Sequence, residues 1–299
     1  MQRLLIVGCG DVAWRALPRL RQHYRVYALL RDAAQASRWR AAGAVPLCGD
    51  LDVRASLIRC AAVADRVLHL APPPDRGDRD VRTRNLVAAL EASKSLPQRL
   101  VYVSTSGVYG DCGGARIDET RGVRPETARA RRRVDAEQVL REFGRRCGVT
   151  VALLRAPGIY AADRLPLERL QRGTPALVAE DDVYTNHIHA DDLAAACVAA
   201  LLRARPNRAY NACDDSEMRM GEYFDRVADA FALPRAPRLS GHEAAQRLSP
   251  LQLSFMRESR RLANRRLKEE LRLRLRYPDV AAGIAAAVRE LKEGNPPCS

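Results

Sequence analysis

Lysine is nearly missing from this chain of 299 residues, standing only at positions 94, 268 and 292 although arginine and lysine together number 50. The formal net charge of +14 is therefore arginine charge. Such an excess suits an anionic partner. Aromatic residues are scarce as well, at 5%, and no basic segment interleaves them as a base-stacking platform would. That pattern argues against a nucleic-acid partner, and a phosphate-bearing small ligand accounts for the charge equally well. No C-x-x-C pair occurs. The eight cysteines (9, 48, 60, 112, 147, 197, 213 and 298) are scattered. This argues against a metal site or a disulfide framework, and for reduced, mostly buried thiols. No apolar run is long enough to span a bilayer, so no membrane partner is expected. The chain begins on an apolar strand pattern rather than a cleavable signal, which makes a soluble cytoplasmic protein the expectation. Internal repeats and low-complexity segments are absent too.

What is present starts at Leu4. The run Leu4-Leu5-Ile6-Val7 reads as a fully buried strand. Gly8-Cys9-Gly10-Asp11-Val12-Ala13 follows in the form G-x-G-x-x-A, and Ala13 to Leu20 reads as a helix. Strand, glycine turn and helix together form a dinucleotide-binding fingerprint. Gly8 permits the tight turn, Gly10 lets a pyrophosphate approach the backbone, and Ala13 keeps helix and strand close. The helix start at Asp11 and Val12 offers free N–H groups to phosphates.

Further strands are read at Arg25–Leu30, Ala44–Leu47, Arg66–Leu70, Arg99–Ser104 and Thr150–Arg155. Helices are read at Ala55–Ala62, Arg79–Ser93 and Pro125–Phe143. This alternation predicts an α/β fold, a doubly wound parallel sheet of the Rossmann type. Residues 1–155 form the dinucleotide-binding core, completed by about 187–213. Residues 156–186 and 214–299 form a smaller, mostly helical lobe on the substrate side.

Arg31-Asp32 ends the second strand, where such folds face the adenosine ribose. Arginine there pairs with a 2′-phosphate, and Asp32 is read as a cap of the next helix, so NADP is preferred over NAD. Asp50, followed by Leu51, lies either under the adenine edge or at a helix cap. Ala71-Pro72-Pro73-Pro74 forbids helix and ladder bonds, so the chain runs extended over the C-terminal edge of the sheet. His69 is read as a core residue.

Six segments in sequence resemble the extended short-chain dehydrogenases/reductases, the NAD-dependent epimerase/dehydratase family. They are Gly8-x-Gly10-x-x-Ala13, Gly49-Asp50-Leu51, Ser104-Thr105-Ser106 with Val108-Tyr109-Gly110, Arg155-x-Pro157-Gly158-Ile159-Tyr160, Ile188-His189-Ala190-Asp191-Asp192-Leu193, and Tyr210-Asn211. The late stretch Glu258-Ser259-Arg260-Arg261-Leu262-x-Asn264, with Tyr277-Pro278, is similar to an atypical bacterial subgroup that includes YeeZ-like proteins. The resemblance implies a nicotinamide cofactor touched by Ser104 and Pro157 as well, and a catalytic Ser/Thr hydroxyl at Thr105. It implies a homodimer through the helices at Arg79–Ser93 and Pro125–Phe143.

It also implies a Tyr-x-x-x-Lys pair, in which lysine lowers the tyrosine's pKa so that the phenol works as acid and base. That pair is missing. Arg129 stands where the tyrosine would be and Arg133 where the lysine would be, and residues 126–136 contain neither Tyr nor Lys. Arginine releases no proton at working pH, but it binds phosphate or carboxylate bidentately. At i, i+4 spacing the two share a helix face, which either grips an anionic ligand or is mainly solvated. Tyr160 is the candidate replacement proton donor; Tyr109 is read as packing and His189 as fixing the helix start at Asp191-Asp192. Two functions follow. One is an NADP-dependent oxidoreductase or epimerase-like enzyme on a small or nucleotide-linked anionic substrate. The other is a dinucleotide-binding sensor or scaffold without turnover.

Overall fold

Leu4, Leu5, Ile6 and Val7 are fully buried, and they alternate between two separate cores. They belong to strand β1, Gln2–Val7. Leu4 and Ile6 pack with helix α1, Asp11–Leu20, and with the helix Ala190–Arg203. Leu5 and Val7 pack on the other face with the helices Val81–Glu91 and Ala128–Cys147. A strand covered on both faces has no reason to alternate polar and apolar residues, hence the unbroken apolar run.

The computed structural model describes residues 1–61, 63–93, 95–249, 252–253 and 256–293. Lys94 and Cys298 lie outside these residues. The central sheet has seven strands, in the order Arg208–Asn211, Thr150–Ala156, Arg99–Thr105, Arg66–His69, β1, Tyr24–Leu30 and Val45–Cys48. Every pairing in it is parallel. The fold is thus the doubly wound Rossmann type. Chain order reverses at β1, and in open α/β sheets that switch point is where ligands bind.

A third core gathers Tyr160, Leu170, Phe224, Val227, Val280 and Ile284 beside the sheet's C-terminal edge. Two short parallel ladders lie outside the central sheet. Gly158–Tyr160 pairs with His187–His189, and Arg261–Leu262 pairs with Arg116–Ile117.

Local signals moved several boundaries. The helix expected from Pro125 begins at Ala128, because Thr127 caps it by accepting from the Ala130 amide. It runs on to Cys147, where Gly148 at φ +68° ends it. The helix expected at Arg79–Ser93 spans Val81–Glu91 behind an Asp80 cap. The segment expected as a helix from Ala55 to Ala62 is a 3-10 turn, Arg54–Leu57, leading into Ile58–Ala61; Ala62 lies outside the described residues. Among the seven described cysteines, only 60, 197 and 213 are buried; 9, 112 and 147 are half-buried and Cys48 is exposed, so the expectation of mostly buried thiols is corrected.

Candidate active site

The glycine turn after β1 is built by close approach. Leu70 and Ala71 both donate their amides to the Val7 carbonyl, at 2.7 and 3.1 Å. Gly8 sits at φ +94°, and a Cβ there would stand 2.3 Å from the Ala71 nitrogen. Gly10 differs: a Cβ on it would meet nothing within 4 Å. It caps α1 in an extended conformation, so its bare backbone faces open space at the helix start. Asp11 would repel phosphates there, but Arg15 donates to it at 2.8 Å and Arg164 pairs with it at 3.2 Å. Cys9, between the glycines, donates its thiol to the Leu29 carbonyl at 3.3 Å, and burial pushes that thiol up to about 12.

A cleft of about 290 Å3 opens beside this turn. Gly8, Arg31, Asp32, Asp50, Leu51, Ala71, Pro72 and Arg82 are among its walls. Asp32 accepts from the Ala34 amide at 2.9 Å and so caps the 3-10 turn Ala33–Gln35. Asp50 lines the cleft and also accepts from the Asp52 amide at 2.9 Å. Gly10, Asp11 and Val12 lie at the start of α1 rather than on the cleft wall.

A second cavity, of about 540 Å3, lies at the C-terminal end of the strand Arg99–Thr105. That is an ordinary size for a small-molecule site, roughly 300–1,000 Å3. Thr105, Arg129 and Pro157 line it. So do Arg169, Arg260 and Glu258, none of which is read as a site residue from the sequence. Arg169 lies over the Phe224 ring at 4.7 Å and donates to the Pro175 carbonyl at 2.6 Å. Arg260 donates to the Gly110 carbonyl at 2.8 Å and to Glu258 at 2.9 Å. Tyr223 supplies an aromatic wall stacked on His187, with ring centres 4.2 Å apart. Burial pushes His187 down to about 3, so its imidazole is neutral.

Ser104, Tyr160 and Arg133 do not line this cavity. Ser104 is buried, and its hydroxyl donates to Glu137 at 2.7 Å. Tyr160 does not reach the cavity. Its ring packs edge-on against His187 and His189, its hydroxyl donates to the Asp279 carbonyl at 3.3 Å, and burial raises its pKa further from working range. The three-residue strand Gly158–Tyr160 turns it into the third core, so a proton-donor role for it is corrected. Arg129 and Arg133 part company. Arg129 lines the cavity, while Arg133 donates to the Tyr102 hydroxyl and the Val103 carbonyl, both at 2.9 Å. Tyr109 is buried and donates to Asn211 at 2.7 Å, and His69 is buried against Thr83 at 2.9 Å. His189 accepts from the Asp191 amide at 3.2 Å, as a cap does.

Behind the cavity Asp214 is buried with Oδ2 unpartnered, and burial pushes its carboxyl up to about 7. The native state therefore holds a proton that the unfolded chain releases near pH 4. Stability from this group is complete below that value and is lost as pH rises toward 7, by at most about 1.4 kcal/mol per pH unit. Asp214→Asn is expected to flatten this slope. Urea unfolding at pH 5, 6 and 7 checks it, and an unchanged slope in the variant would assign the pH dependence elsewhere.

The turn, the helix start and the switch-point cleft define a dinucleotide-binding protein of the doubly wound α/β class. The profile of the NAD-dependent epimerase/dehydratase family matches residues 9–213, and the chain belongs to that family. Membership in this NAD-dependent family indicates a nicotinamide dinucleotide cofactor. A conserved protein of unknown function from Silicibacter pomeroyi is similar at 29% identity, with a TM-score of 0.78 over 97% of this chain and 99% of that one. Two more distant structures share the fold. The UDP-glucose 4-epimerase of Thermotoga maritima, solved with UDP-glucose, has 16% identity and a TM-score of 0.77 over 98% and 99% of the two chains. A dTDP-glucose 4,6-dehydratase from Streptomyces venezuelae, solved with NAD bound, has 20% identity and a TM-score of 0.78 over 98% and 97%. No curated protein matches the sequence. Among the described residues no helix is long and apolar enough to cross a membrane, and no cluster of three metal-ligating side chains occurs.

Proposed function

We propose that the protein is an NADP-preferring enzyme of the oxidoreductase or epimerase/dehydratase type, acting on a small or nucleotide-linked anionic substrate. The observation that carries this reading is the large cavity. Three guanidiniums and a single carboxylate line it beside Thr105, on the same sheet edge as the dinucleotide cleft. Gly8, Gly10 and the first turn of α1 would hold the pyrophosphate, because the turn leaves bare backbone and unsatisfied N–H groups there. Arg31 would pair with a 2′-phosphate at the end of its strand. The nicotinamide, when bound, supplies hydride transfer. Thr105 would orient a substrate oxygen, and Arg129 would neutralise an anionic group near it.

The first test is binding of NADPH and NADH to wild type and Arg31→Ala by calorimetry. The variant is expected to bind NADPH more weakly by about 1.5–3 kcal/mol, the scale of a lost charge-assisted contact, with little change for NADH. Equal losses for both would remove the NADP preference. A folded protein that binds neither would remove the enzyme reading altogether.

The missing Tyr-x-x-x-Lys pair and the buried Tyr160 favour a second reading, a dinucleotide-binding sensor or scaffold without turnover. It predicts dinucleotide binding with no reduction or epimerisation of any sugar-linked substrate offered.

A further inference from the structure

Asp11 opens α1 with a carboxylate, in the turn whose free N–H groups would hold the pyrophosphate. An acid in the first turn suits the helix, but it opposes a second anion at the same place. Its side chain is only 11% exposed, so water and salt screen it weakly. One guanidinium answers it. Arg15, one turn further along α1, donates Nε to Asp11 Oδ1 and Nη1 to Asp191 Oδ1, each at 2.8 Å. Its Nη2 stands 3.5 Å from Asp163 Oδ1. The same fork therefore touches three carboxylates.

Those carboxylates come from three elements. Asp191 lies in the first turn of the helix Ala190–Arg203, which shares a core with α1. Asp163 lies on the 3-10 turn Ala162–Arg164, whose Ala162 belongs to the third core. Arg164, next to it, pairs with Asp11 Oδ2 at 3.2 Å. Arg276 stands 3.9 Å from Asp191 Oδ2. Its amide and that of Tyr277 donate to Asp192, at 2.8 and 2.9 Å. His189 Nδ1 is 3.8 Å from Asp191, but burial pushes the imidazole down to about 4, so it adds no charge. Three carboxylates thus face three guanidiniums, and the group is electrically balanced. Burial works to lower the pKa of Arg15; its bonds to Asp191 and Asp11 overcome this, and the net direction is upward.

Balance matters at this point of the fold. With Asp11 cancelled, the partial positive charge of the helix start is left to attract phosphate. Without Arg15, a poorly screened carboxylate would stand in the turn that receives the pyrophosphate. Lysine offers a point charge in place of a planar fork and cannot hold three carboxylates in the same way. We propose that Arg15 is a positioning residue of the dinucleotide site. It acts through Asp11, whose charge it cancels, and through Asp163, which it holds beside Arg164 so that a second guanidinium meets the turn. This rests on the seat proposed above for the pyrophosphate.

Calorimetry with NADPH and NADH on the full chain tests it. Arg15→Met is expected to weaken both tenfold or more, because both carry the pyrophosphate; Arg31→Ala should affect NADPH alone. Asp11→Asn is expected to tighten both about threefold. Asp11→Asn/Arg15→Met should return to within about threefold of wild type, whereas Asp191→Asn/Arg15→Met should stay tenfold weaker. A purely structural Arg15 would be rescued equally by either partner, since both accept from it at 2.8 Å. Equal rescue, or a loss confined to NADPH, overturns the proposal. Thermal unfolding checks that each variant is folded. Should Arg15→Met not fold, Asp11→Asn decides alone, and binding no tighter than wild type overturns the proposal. Gly10→Ala in the same assay tests the seat. Unchanged affinity there overturns the seat and this inference with it. A loss at Gly10 with none at Arg15 overturns the role of Arg15 alone.

Discussion

Glu137→Ala is expected to lose about 3–5 kcal/mol of folding stability, the cost of leaving a buried charge without its partner. The charge left behind is that of Arg155. The two side chains are 5% and 4% exposed and share two hydrogen bonds, at 3.1 and 2.7 Å. Burial works to lower the guanidinium's pKa; the hydrogen bonds and charge of Glu137 overcome it, and the net direction is upward. Ser104 adds a third bond to the same carboxylate, and the Arg155 guanidinium lies 4.8 Å from the Tyr109 ring centre. The network therefore joins two central strands to the helix Ala128–Cys147 and to the turn after Thr105.

The double variant Glu137→Met/Arg155→Met separates charge from packing. It removes both buried ions and fills the space with apolar side chains. It is expected to cost far less than the single change, so a double-mutant cycle by urea unfolding should show coupling of about 2–4 kcal/mol. The exposed pair Arg172–Glu168, at 72% and 76% exposure, is the control and should couple by less than about 0.5 kcal/mol. A loss below about 1 kcal/mol for Glu137→Ala would mean that water reaches Arg155 and that the strand end is looser than its packing indicates. Thr105 adjoins this network, so such looseness would bear on the cavity as well.

The same network shows what the sequence reveals and what it hides. Apolar strand runs and a glycine turn expose the parallel sheet, because strands buried on both faces need unbroken apolar residues and only that turn joins strand to phosphate-binding helix. Ser104 is implied as a cofactor contact by the family resemblance, yet its hydroxyl is spent on Glu137. Strand alternation held the correction: Ser104 shares its face with Leu100 and Tyr102, which pack into the core on the side of the helix Ala128–Cys147. Tyr160 is misread because a loop reading leaves its direction open, and pairing with His187–His189 turns it inward. Arg169, Tyr223, Glu258 and Arg260 come from segments far apart in the chain. No local spacing marks them, and only the ladder at Arg261–Leu262 and the packing of the third core bring them to Thr105. The stretch Glu258–Asn264 is visible as a pattern, yet its chemistry depends on side chains that a pattern does not orient.

Gly8→Ala and Gly10→Ala are expected to fail in opposite ways, which makes them the sharpest test of the glycine turn. At Gly8 the new Cβ meets backbone, 2.3 Å from Ala71 N and 2.6 Å from its Cα, at a φ that L-residues rarely adopt. Backbone strain of roughly 1–3 kcal/mol and overpacking of similar size give an expected loss of about 3–5 kcal/mol in stability. Dinucleotide binding falls with it, because β1 and the strand Arg66–His69 must part at the switch point. At Gly10 the new Cβ meets nothing within 4 Å, and φ −90°, ψ −165° suits any residue. Stability should therefore change by less than about 1 kcal/mol. If the open space at Gly10 is where the pyrophosphate lies, the methyl group stands in its place, and NADPH affinity should fall tenfold or more in a protein that melts like wild type. Thermal unfolding and NADPH calorimetry on both variants read the two effects separately. A Gly10→Ala protein that binds NADPH as wild type does would move the pyrophosphate away from the start of α1, and Arg31 would then need a different ligand.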